Sequence, residues 1–541
     1  MVPSSEGPPA GGEAVAPTEE GRANHATRAG VWLARSGAAL IDLVRAHKGA
    51  PLCLVAVTVV VWILARRLVL APIGFDESYF LWTGWSLNHG LVPYRDFIEY
   101  KPVMIFVLNA LGLKVFGLDY HHYRYIFAIL SASAFLGLAV TLMRRGADSL
   151  LTFCVVVAMA SALFASSLHD LTINDTETAG MSFLLLGIVC LIWGGVHANR
   201  ANALGGAFLT LAVMSKEPFA FIALTTWAAL GFLNRTERGL PWRRFAAWSC
   251  AGAAVVVVVI LCFLIVTGAL PYYVTAMRDY FGYTARIGCP KPTGLLDLVA
   301  LAWRQLTRML LTPGVLGGLL PFLIAFAVGS EARWGARIGV VLAVLAGLHA
   351  VTLGGCYFRH YFIMGLSGFF LWGTLGAVAL GRSLSRAPTW LAVATRVVVL
   401  AWLVVEVGPR FRTDLETTYS VARVDLMGTP RPVVDFINQN TAPTDYVFSD
   451  GMPGIFLLTN RLRPTRESGF LDEFIDSYPG RNDAEKLSAV RAQLVARKPK
   501  VIYLDRGYAG RKRRTRAALI MPFIKQFGYQ QVMENVYFRK G

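Results

Sequence analysis

The stretch that follows the first long apolar run of the sequence is dense in charged side chains. It contains three closely spaced segments, Phe75-Asp76-Glu77-Ser78-Tyr79, Pro93-Tyr94-Arg95-Asp96-Phe97 and Glu99-Tyr100-Lys101-Pro102. Ionisable side chains are costly at a membrane span, and where they occur their default interpretation is a function. The stretch therefore predicts a functional loop at the mouth of a membrane helix.

The composition is that of a protein with many membrane spans. The chain has 541 residues, of which 55% are hydrophobic and only 16% are charged, and it repeats apolar runs near the roughly 20 residues that a membrane helix requires. Its formal net charge is +18, but much of the Lys and Arg lies in short loops beside the spans, as membrane topology requires. We therefore expect a polytopic membrane protein. The lipid bilayer is expected as its partner, and nucleic acid is not.

The hydropathy pattern predicts about 11 spans. Positive charge concentrates in alternate loops between them, which places the N-terminus inside and the C-terminal part outside. The predicted spans are residues 51–73, 123–143, 150–168, 178–196, 201–215, 217–233, 245–269, 313–330, 337–354, 361–380 and 389–407.

The apolar run Val103 to Phe116 is left out of this set. Its roughly 14 residues are too few to cross about 30 Å of hydrocarbon at 1.5 Å per residue. Counting it as a span would also reverse every later loop and break the charge alternation. It is therefore predicted to be a helix at the outer membrane interface.

The segment before the first span has two parts. Residues 1–30 are rich in Pro, Ala, Gly and Glu and lack the apolar stretch of a cleavable signal, so we expect a disordered cytoplasmic tail. Residues 31–50 mix apolar and basic side chains, which is typical of an amphipathic helix on the cytoplasmic leaflet. A continuation of the first span is the alternative for that segment.

The composition changes after Gly408-Pro409, where polar segments begin to alternate with short apolar runs. Residues 51–408 are therefore predicted to form the transmembrane domain, and residues 409–541 a small extracytoplasmic α/β domain. Strands are predicted in its segments 445–448 and 501–505, and a helix in 483–497.

The seven cysteines contain no Cys-x-x-Cys pair, so they imply no metal cluster. Five of them fall in apolar segments, where a free thiol behaves as a small hydrophobic group. Cys289 and Cys356 both fall in loops predicted to lie outside, and a disulfide between them is compatible with an oxidising exterior.

Four loops that carry both signs of charge share the outer face in this topology. They are residues 74–122, 169–178, 271–292 and 354–361. A carboxylate there can deprotonate a hydroxyl group, and Lys, Arg and His can hold a phosphate leaving group. Together these are the parts required for sugar transfer from a lipid phosphate.

These motifs resemble a known family. The Asp76-Glu77 pair, the segment Gly90 to Phe97 and Lys101-Pro102 resemble the GT-C membrane glycosyltransferases of family 39 type, which include protein O-mannosyltransferases and lipid A aminoarabinose transferases. Arg359-His360-Tyr361, at the start of a late span, looks like their phosphate-proximal segment. The likeness covers nearly everything after residue 50 and implies a mainly α GT-C bundle with a small outer α/β domain.

The resemblance also implies the chemistry. The donor would be a sugar on a polyprenyl phosphate, and the acceptor a hydroxyl group of an envelope lipid, glycan or protein. Asp76 would act as general base with Glu77 as the second catalytic carboxylate. Lys101, Arg359 and His360 would bind the donor phosphate. The residues expected to orient the substrates are Tyr94, Arg95, Asp96, Glu99, Tyr100, Asp175 and Glu177.

Some points stay open in this interpretation. Either Asp175 or Glu177 could match the family's second acidic position. A phosphate screened by cations leaves readily, so a metal ion is not obligatory, although a divalent metal is not excluded.

Two other classes compete with the enzyme hypothesis. A transporter or flippase for a lipid-linked or anionic substrate also places charges at span ends, but it would show charges within spans and an internal repeat. A membrane scaffold would leave the Asp76-Glu77 and Lys101-Pro102 motifs without a purpose. The structural alternatives for these motifs are a solvated interfacial cap for the acidic pair and snorkelling to lipid headgroups for Lys101.

Overall fold

The structure, a computed structural model, describes most of the chain after residue 48. The described residues are 49–70, 75–117, 122–165, 173–193, 198–284, 294, 296–297, 299–300, 303–304, 307, 316–329, 334–352, 359–420, 430–451, 453–466, 483–504 and 516–540. Two units are distinguished, Met1–Pro51 and Leu52–Gly541. The predicted N-terminal tail, nearly all of the predicted interfacial helix, and Cys289 and Cys356 lie outside the described residues.

Helices make up the first four-fifths of the described chain. They are α1 (Ala50–Leu70), α2 (Phe75–Asn88), α3 (Met104–Phe116), α4 (Tyr125–Arg144), α5 (Ser149–Leu163), α6 (Thr176–Trp193), α7 (Ala198–Val213), α8 (Phe219–Arg238), α9 (Trp242–Val266), α10 (Leu270–Thr284), α11 (Leu320–Val328), α12 (Trp334–Thr352), α13 (Phe362–Leu384) and α14 (Thr389–Ser420). Short 3₁₀ turns at His122–Arg124, Gly317–Leu319 and Arg359–Tyr361 precede α4, α11 and α13.

Each predicted span overlaps one of these helices. Among the described residues, seven helical segments are long and apolar enough to cross a membrane, and they correspond to α1, α4, α6, α9, α12, α13 and α14. The other predicted spans correspond to α5, α7, α8 and α11, which are shorter or more polar. The mainly helical, polytopic fold class is confirmed, and the number of crossings stays a prediction.

Helix α2 differs from the sequence-based expectation, which is a charged loop over Phe75–Asn88. Its acidic residues Asp76 and Glu77 fall in the first turn, where negative charge interacts favourably with the helix dipole. The charges that suggest a loop therefore stabilise the start of a helix. Helix α3 confirms the helix expected from Val103 to Phe116.

A buried ion pair joins the end of α1 to the starts of α2 and α4. The Arg124 guanidinium donates to both carboxylate oxygens of Glu77 at 2.5 Å, and both side chains are fully buried. The same guanidinium donates to the carbonyl of Val69 at 2.8 Å, and the Tyr123 hydroxyl donates to Glu77 at 2.7 Å. One charge pair thus fixes three chain segments.

Glycine allows two close helix contacts that support the site. A Cβ at Gly84 of α2 would lie 2.5 Å from the Cβ of Asn109 in α3, so a larger residue would push these helices apart. In α7 and α9, a Cβ at Gly206 would lie 1.9 Å from the Ser249 carbonyl oxygen, and one at Gly252 would lie 1.8 Å from that of Ala203. Helix α7 is thereby held against α9 at backbone distance.

The C-terminal part forms the expected α/β structure. Its elements are α15 (Arg431–Asn440), β1 (Val447–Ser449), α16 (Gly454–Thr459), α17 (Asp483–Arg497), β2 (Val501–Tyr503), α18 (Met521–Gln526), β3 (Gln530–Met533) and β4 (Val536–Phe538). The sheet order is β1-β2-β4-β3, with β1 parallel to β2 and the other pairs antiparallel. Helix α17 lies between the two parallel strands in sequence, as a crossover connection requires.

The two faces of this sheet have different partners. Phe448 and Ile502 pack with α17 and α18 in one hydrophobic cluster. Val447 and Val501, which alternate with them along the strands, pack in another cluster with Trp82 of α2 and with α3. The small domain therefore shares a core with the helices of the first predicted outer loop.

Helix α14 runs through the predicted domain boundary. It begins at Thr389, contains Pro409 in its interior and ends at Ser420. The change in composition after Gly408-Pro409 marks the end of the apolar part of the helix, because the residues beyond it are polar. The predicted start of the outer domain at residue 409 thus falls inside a helix.

Arg466 of the small domain holds the turn between α2 and α3. Its guanidinium donates to the carbonyl of Tyr94 at 3.0 Å and lies over the Tyr272 ring at 4.9 Å from the centroid. Its own carbonyl accepts from the Ile98 amide at 2.7 Å. The small domain thus contacts backbone groups of the predicted site loop, at Tyr94 and Ile98.

Replacing Glu77 with Gln should destabilise the protein, because the buried Arg124 guanidinium would lose its counter-charge. Removing one partner of a buried ion pair typically costs about 3–5 kcal/mol. We expect a clear fall in the apparent melting temperature of the detergent-solubilised protein. Arg431→Gln is the matched control, because its ion pair with Asp435 is exposed and should contribute little. Equal melting of wild type and Glu77→Gln would contradict the role of this pair.

Replacing Arg466 with Met should loosen the turn at Tyr94 without unfolding the small domain. Loss of a charged hydrogen-bond donor is worth about tenfold or more in a local opening equilibrium. Hydrogen–deuterium exchange should therefore accelerate in a peptide covering residues 91–100. Arg491→Met is the control, since that guanidinium bonds Gln526 on the exposed side of the domain. Unchanged exchange in Arg466→Met would show that the turn is held by other contacts.

Candidate active site

Asp76 is the accessible carboxylate of the acidic pair. It lies in the first turn of α2 and its side chain is exposed, whereas the neighbouring Glu77 is fully buried. Because Glu77 is fixed by Arg124, the start of α2 and with it the Asp76 backbone are held in place. Glu77 is paired with Arg124 rather than exposed, and its predicted catalytic role stays a prediction.

Arg95 and Asp96 pair with each other. The Arg95 guanidinium donates to both carboxylate oxygens of Asp96, at 2.9 and 2.8 Å, and also to the Thr267 carbonyl at 2.9 Å. This fork holds the pKa of Asp96 below its usual value. The Val92 amide donates to Asp96 at 2.8 Å. The two residues predicted to orient substrate therefore close the turn and tie it to the end of α9.

Tyr94 lies beneath the same turn. It is almost fully buried, and its hydroxyl donates to the Lys101 carbonyl at 2.8 Å. Its φ of 65° is in the left-handed region, which few residues other than glycine adopt. A residue in this strained conformation is kept there by its surroundings, here the Lys101 and Arg466 contacts. Tyr94 therefore sets the position of the Lys101 backbone.

Glu99 interacts electrostatically with both Asp76 and Lys101. Its carboxylate accepts from the Tyr100 amide at 2.8 Å. Burial raises the pKa of Glu99, the Lys101 charge lowers it, and the Asp76 charge raises it again. These interactions place Asp76 and Lys101 near Glu99.

A second charged cluster forms where α6, the turn after α7 and the turn before α13 meet. Glu177 forms a buried ion pair with Lys216, and the His360 Nε2 lies 3.8 Å from the same carboxylate. Lys101 lies close enough to act on the Glu177 charge as well. Lys216 also stands over the Tyr361 ring, 3.8 Å from its centroid. The structure thus brings together three distant chain segments.

Lys216 was missed by the sequence interpretation. It is the single residue between the predicted spans 201–215 and 217–233, in the segment Ser215-Lys216-Glu217-Pro218, and it falls on the predicted outer face. Charged residues at such a position are a functional signal. The signal was available, but the segment is too short to stand out from the two apolar runs around it.

The two alternatives for the second acidic residue have different surroundings. Asp175 accepts from the Thr178 amide at 2.6 Å, which is the arrangement of a helix N-cap at the start of α6. Glu177, two residues further along, faces Lys216 and His360. Glu177 therefore belongs to the cationic cluster.

Arg359 is exposed at the start of the turn Arg359–Tyr361, next to His360 in the chain. Its contact with a donor phosphate stays a prediction. Within the described ranges, no group of three or more His, Cys, Asp and Glu side chains could hold a metal ion.

Comparison with known proteins gives matches in structure alone. No family model and no curated protein matches the sequence significantly. The apo structure of ArnT from Cupriavidus metallidurans matches with a TM-score of 0.51 and 13% identity, over 91% of this chain and 98% of that chain.

Two further matches have lower TM-scores. ArnT from the same organism bound to undecaprenyl phosphate gives 0.49 with 16% identity, over 77% of this chain and 85% of that chain. The Archaeoglobus fulgidus oligosaccharyltransferase with zinc and sulfate gives 0.49 with 12% identity, over 83% of this chain and 67% of that chain.

The match to apo ArnT includes nearly the full length of both chains, so it covers the helical bundle and the small C-terminal domain together. At this low identity it concerns the fold alone. The chain therefore has the fold of the GT-C membrane glycosyltransferases.

Proposed function

We propose that the protein is an inverting glycosyltransferase that moves a sugar from a polyprenyl phosphate to a hydroxyl group of an envelope acceptor. The observation that carries this proposal is an exposed carboxylate, Asp76, whose charge acts on Glu99 together with that of Lys101. Lys101 also acts on Glu177, which lies in the cluster with Lys216 and His360. The GT-C fold supports it, although a fold alone does not fix a function.

Asp76 acts as the general base in this proposal. It takes the proton of the acceptor hydroxyl while that oxygen forms a bond to the anomeric carbon of the sugar. The bond between the anomeric carbon and the phosphate oxygen breaks, and the electron pair leaves with the polyprenyl phosphate. Attack opposite to the leaving group inverts the anomeric centre.

The cations lower the cost of charge on the leaving phosphate. Lys101 and Arg359 supply the direct contacts, because charge-assisted hydrogen bonds to phosphate are short and strong. Lys216 is already paired with Glu177, so this ion pair contributes a fixed dipole at the site. A fixed dipole needs no reorganisation during the reaction.

A metal ion is not part of any step in this mechanism. The expectation that metal is not obligatory stays a prediction. Asp76 and Lys101 can supply base and phosphate screening from the chain itself, and a divalent ion added to the assay tests whether more is needed.

The proposed location is the outer face of the cytoplasmic membrane, with the small domain outside. The shared core between the sheet and α2 supports one part of this proposal. It requires the domain and the start of α2 to lie on the same side of the membrane. The side itself rests on the distribution of positive charge in the loops.

Asp76→Asn should leave the protein folded and remove transfer. Loss of a general base typically lowers the rate about 100-fold or more. The measurement is release of polyprenyl phosphate from a labelled polyprenyl phosphate sugar by purified protein. Asp445→Asn, in the small domain, is the matched control and should keep wild-type turnover. A variant at position 76 that retains more than about a tenth of the activity argues against the base role.

Lys101→Met and Arg359→Met should each weaken donor binding much more than acceptor binding. Both act on one phosphate, so the double variant should lose less than the sum of the single losses. Titration of labelled donor at two salt concentrations measures this, because contacts between charges weaken as salt rises. Strictly additive losses, or equal effects on donor and acceptor, would remove the shared phosphate contact and leave the fold unaffected.

A further inference from the structure

Glu217 is a buried carboxylate that the proposed mechanism does not use. It lies in the turn between α7 and α8, directly after Lys216. Both of its carboxylate oxygens are buried, and in the part of the chain that the structure describes neither accepts a hydrogen bond from another residue. A buried polar group without donors costs free energy, and such a group in a native protein calls for an explanation.

The neighbours of Glu217 belong to the candidate site. The charges of Lys101 and Lys216 both act on it, and so does that of Glu177. The Glu217 charge also acts on Tyr94 and Tyr273, whose rings meet edge to face at 5.0 Å between centroids. Burial is the main cause that raises the pKa of each phenol, and the Glu217 charge adds to it. Glu217 therefore lies near both Lys101 and the Tyr94 turn.

The surroundings of Glu217 supply charge but, among the other described residues, no hydrogen-bond donor to its carboxylate. Burial raises the pKa of Glu217, and the charges of the two lysines lower it. Lys216, the nearer one in sequence, is paired with Glu177 and stacked on the Tyr361 ring. The carboxylate lacks hydrogen-bond donors from other residues in the ranges that the structure describes. Its two oxygens lie in one plane and can accept hydrogen bonds from two neighbouring hydroxyl groups at the same time. A neutral polyol fits this requirement better than a further cation.

We propose that Glu217 is a substrate-positioning residue whose carboxylate accepts hydrogen bonds from hydroxyl groups of the sugar being transferred. This inference rests on the proposed glycosyltransferase function and deepens it. Lys101 would bind the phosphate end of the donor while Glu217 fixes the orientation of its sugar ring. The anomeric carbon is thereby presented to the acceptor held at Asp76.

The test pairs changes in the protein with changes in the donor. The probes are synthetic undecaprenyl phosphate hexoses: the gluco, manno or galacto form that the wild type uses fastest, and the monodeoxy analogues of that form. The proteins are wild type, Glu217→Gln and Glu217→Met, with Glu485→Gln in the exposed part of α17 as the matched control. The measurement is kcat/KM for release of undecaprenyl phosphate.

The wild type should lose about 10- to 100-fold in kcat/KM for at least one deoxy donor, which is the effect of one hydrogen bond to a charged group. Glu217→Met should lose a similar factor on the parent donor and show no further loss on that deoxy donor. Glu217→Gln should fall between them, because an amide keeps one acceptor. Glu485→Gln should discriminate as the wild type does.

Equal losses by the Glu217 variants on every donor would overturn the inference, since a merely structural residue does not sense a single hydroxyl. A donor that carries an amino group in place of that hydroxyl group provides a second check. The inference would be overturned, in favour of a cation site, if this donor had a higher kcat/KM with the wild type and a lower one with Glu217→Gln. If Glu217→Met does not fold, Glu217→Gln carries the comparison alone. Failure of the wild type to release undecaprenyl phosphate from any parent donor would refute the proposed function instead.

Discussion

The buried pair of Glu77 and Arg124 is the constraint on which the site depends. Two full charges are removed from water, and hydrogen bonds offset this cost. Both carboxylate oxygens of Glu77 accept from Arg124, Glu77 also accepts from the Tyr123 hydroxyl, and Arg124 donates to the carbonyl of Val69 at the end of α1. The desolvation cost of such a pair is large unless these contacts are complete. The start of α2 is therefore fixed, and Asp76 emerges from a rigid base.

Around that base, the charged residues divide into those that are fixed to one another and those that face open space. Arg95 with Asp96 and Lys216 with Glu177 are fixed pairs. The exposed Asp76 is different, because its neighbours position it without enclosing it. A site of this kind combines a prearranged field with accessible groups, which is the arrangement that electrostatic catalysis requires.

Much of the fold could be predicted from the sequence, because its signals are local. Apolar runs located the spans, and the pattern of polar and apolar residues located α17 and the strands β1 and β2. The site was harder. The motif around Asp76 and Lys101 was recognisable, but whether Glu77 faces substrate or Arg124 depends on a residue 47 positions away. The neighbours of Lys216 and Glu217 lie in α6, α10 and the turn before α13. No local sequence pattern shows that these distant segments come together.

The core shared by α2 and the C-terminal sheet has a consequence for how the protein is made. Trp82 packs in one cluster with Val536, which lies in the last strand of the described chain. The helix that carries Asp76 is made early, with its partners in α3, whereas the strands that complete the cluster are made much later. Contacts between such distant segments are slow to form. The core beneath the helix that carries Asp76 can therefore close only after the C-terminal strands have been made.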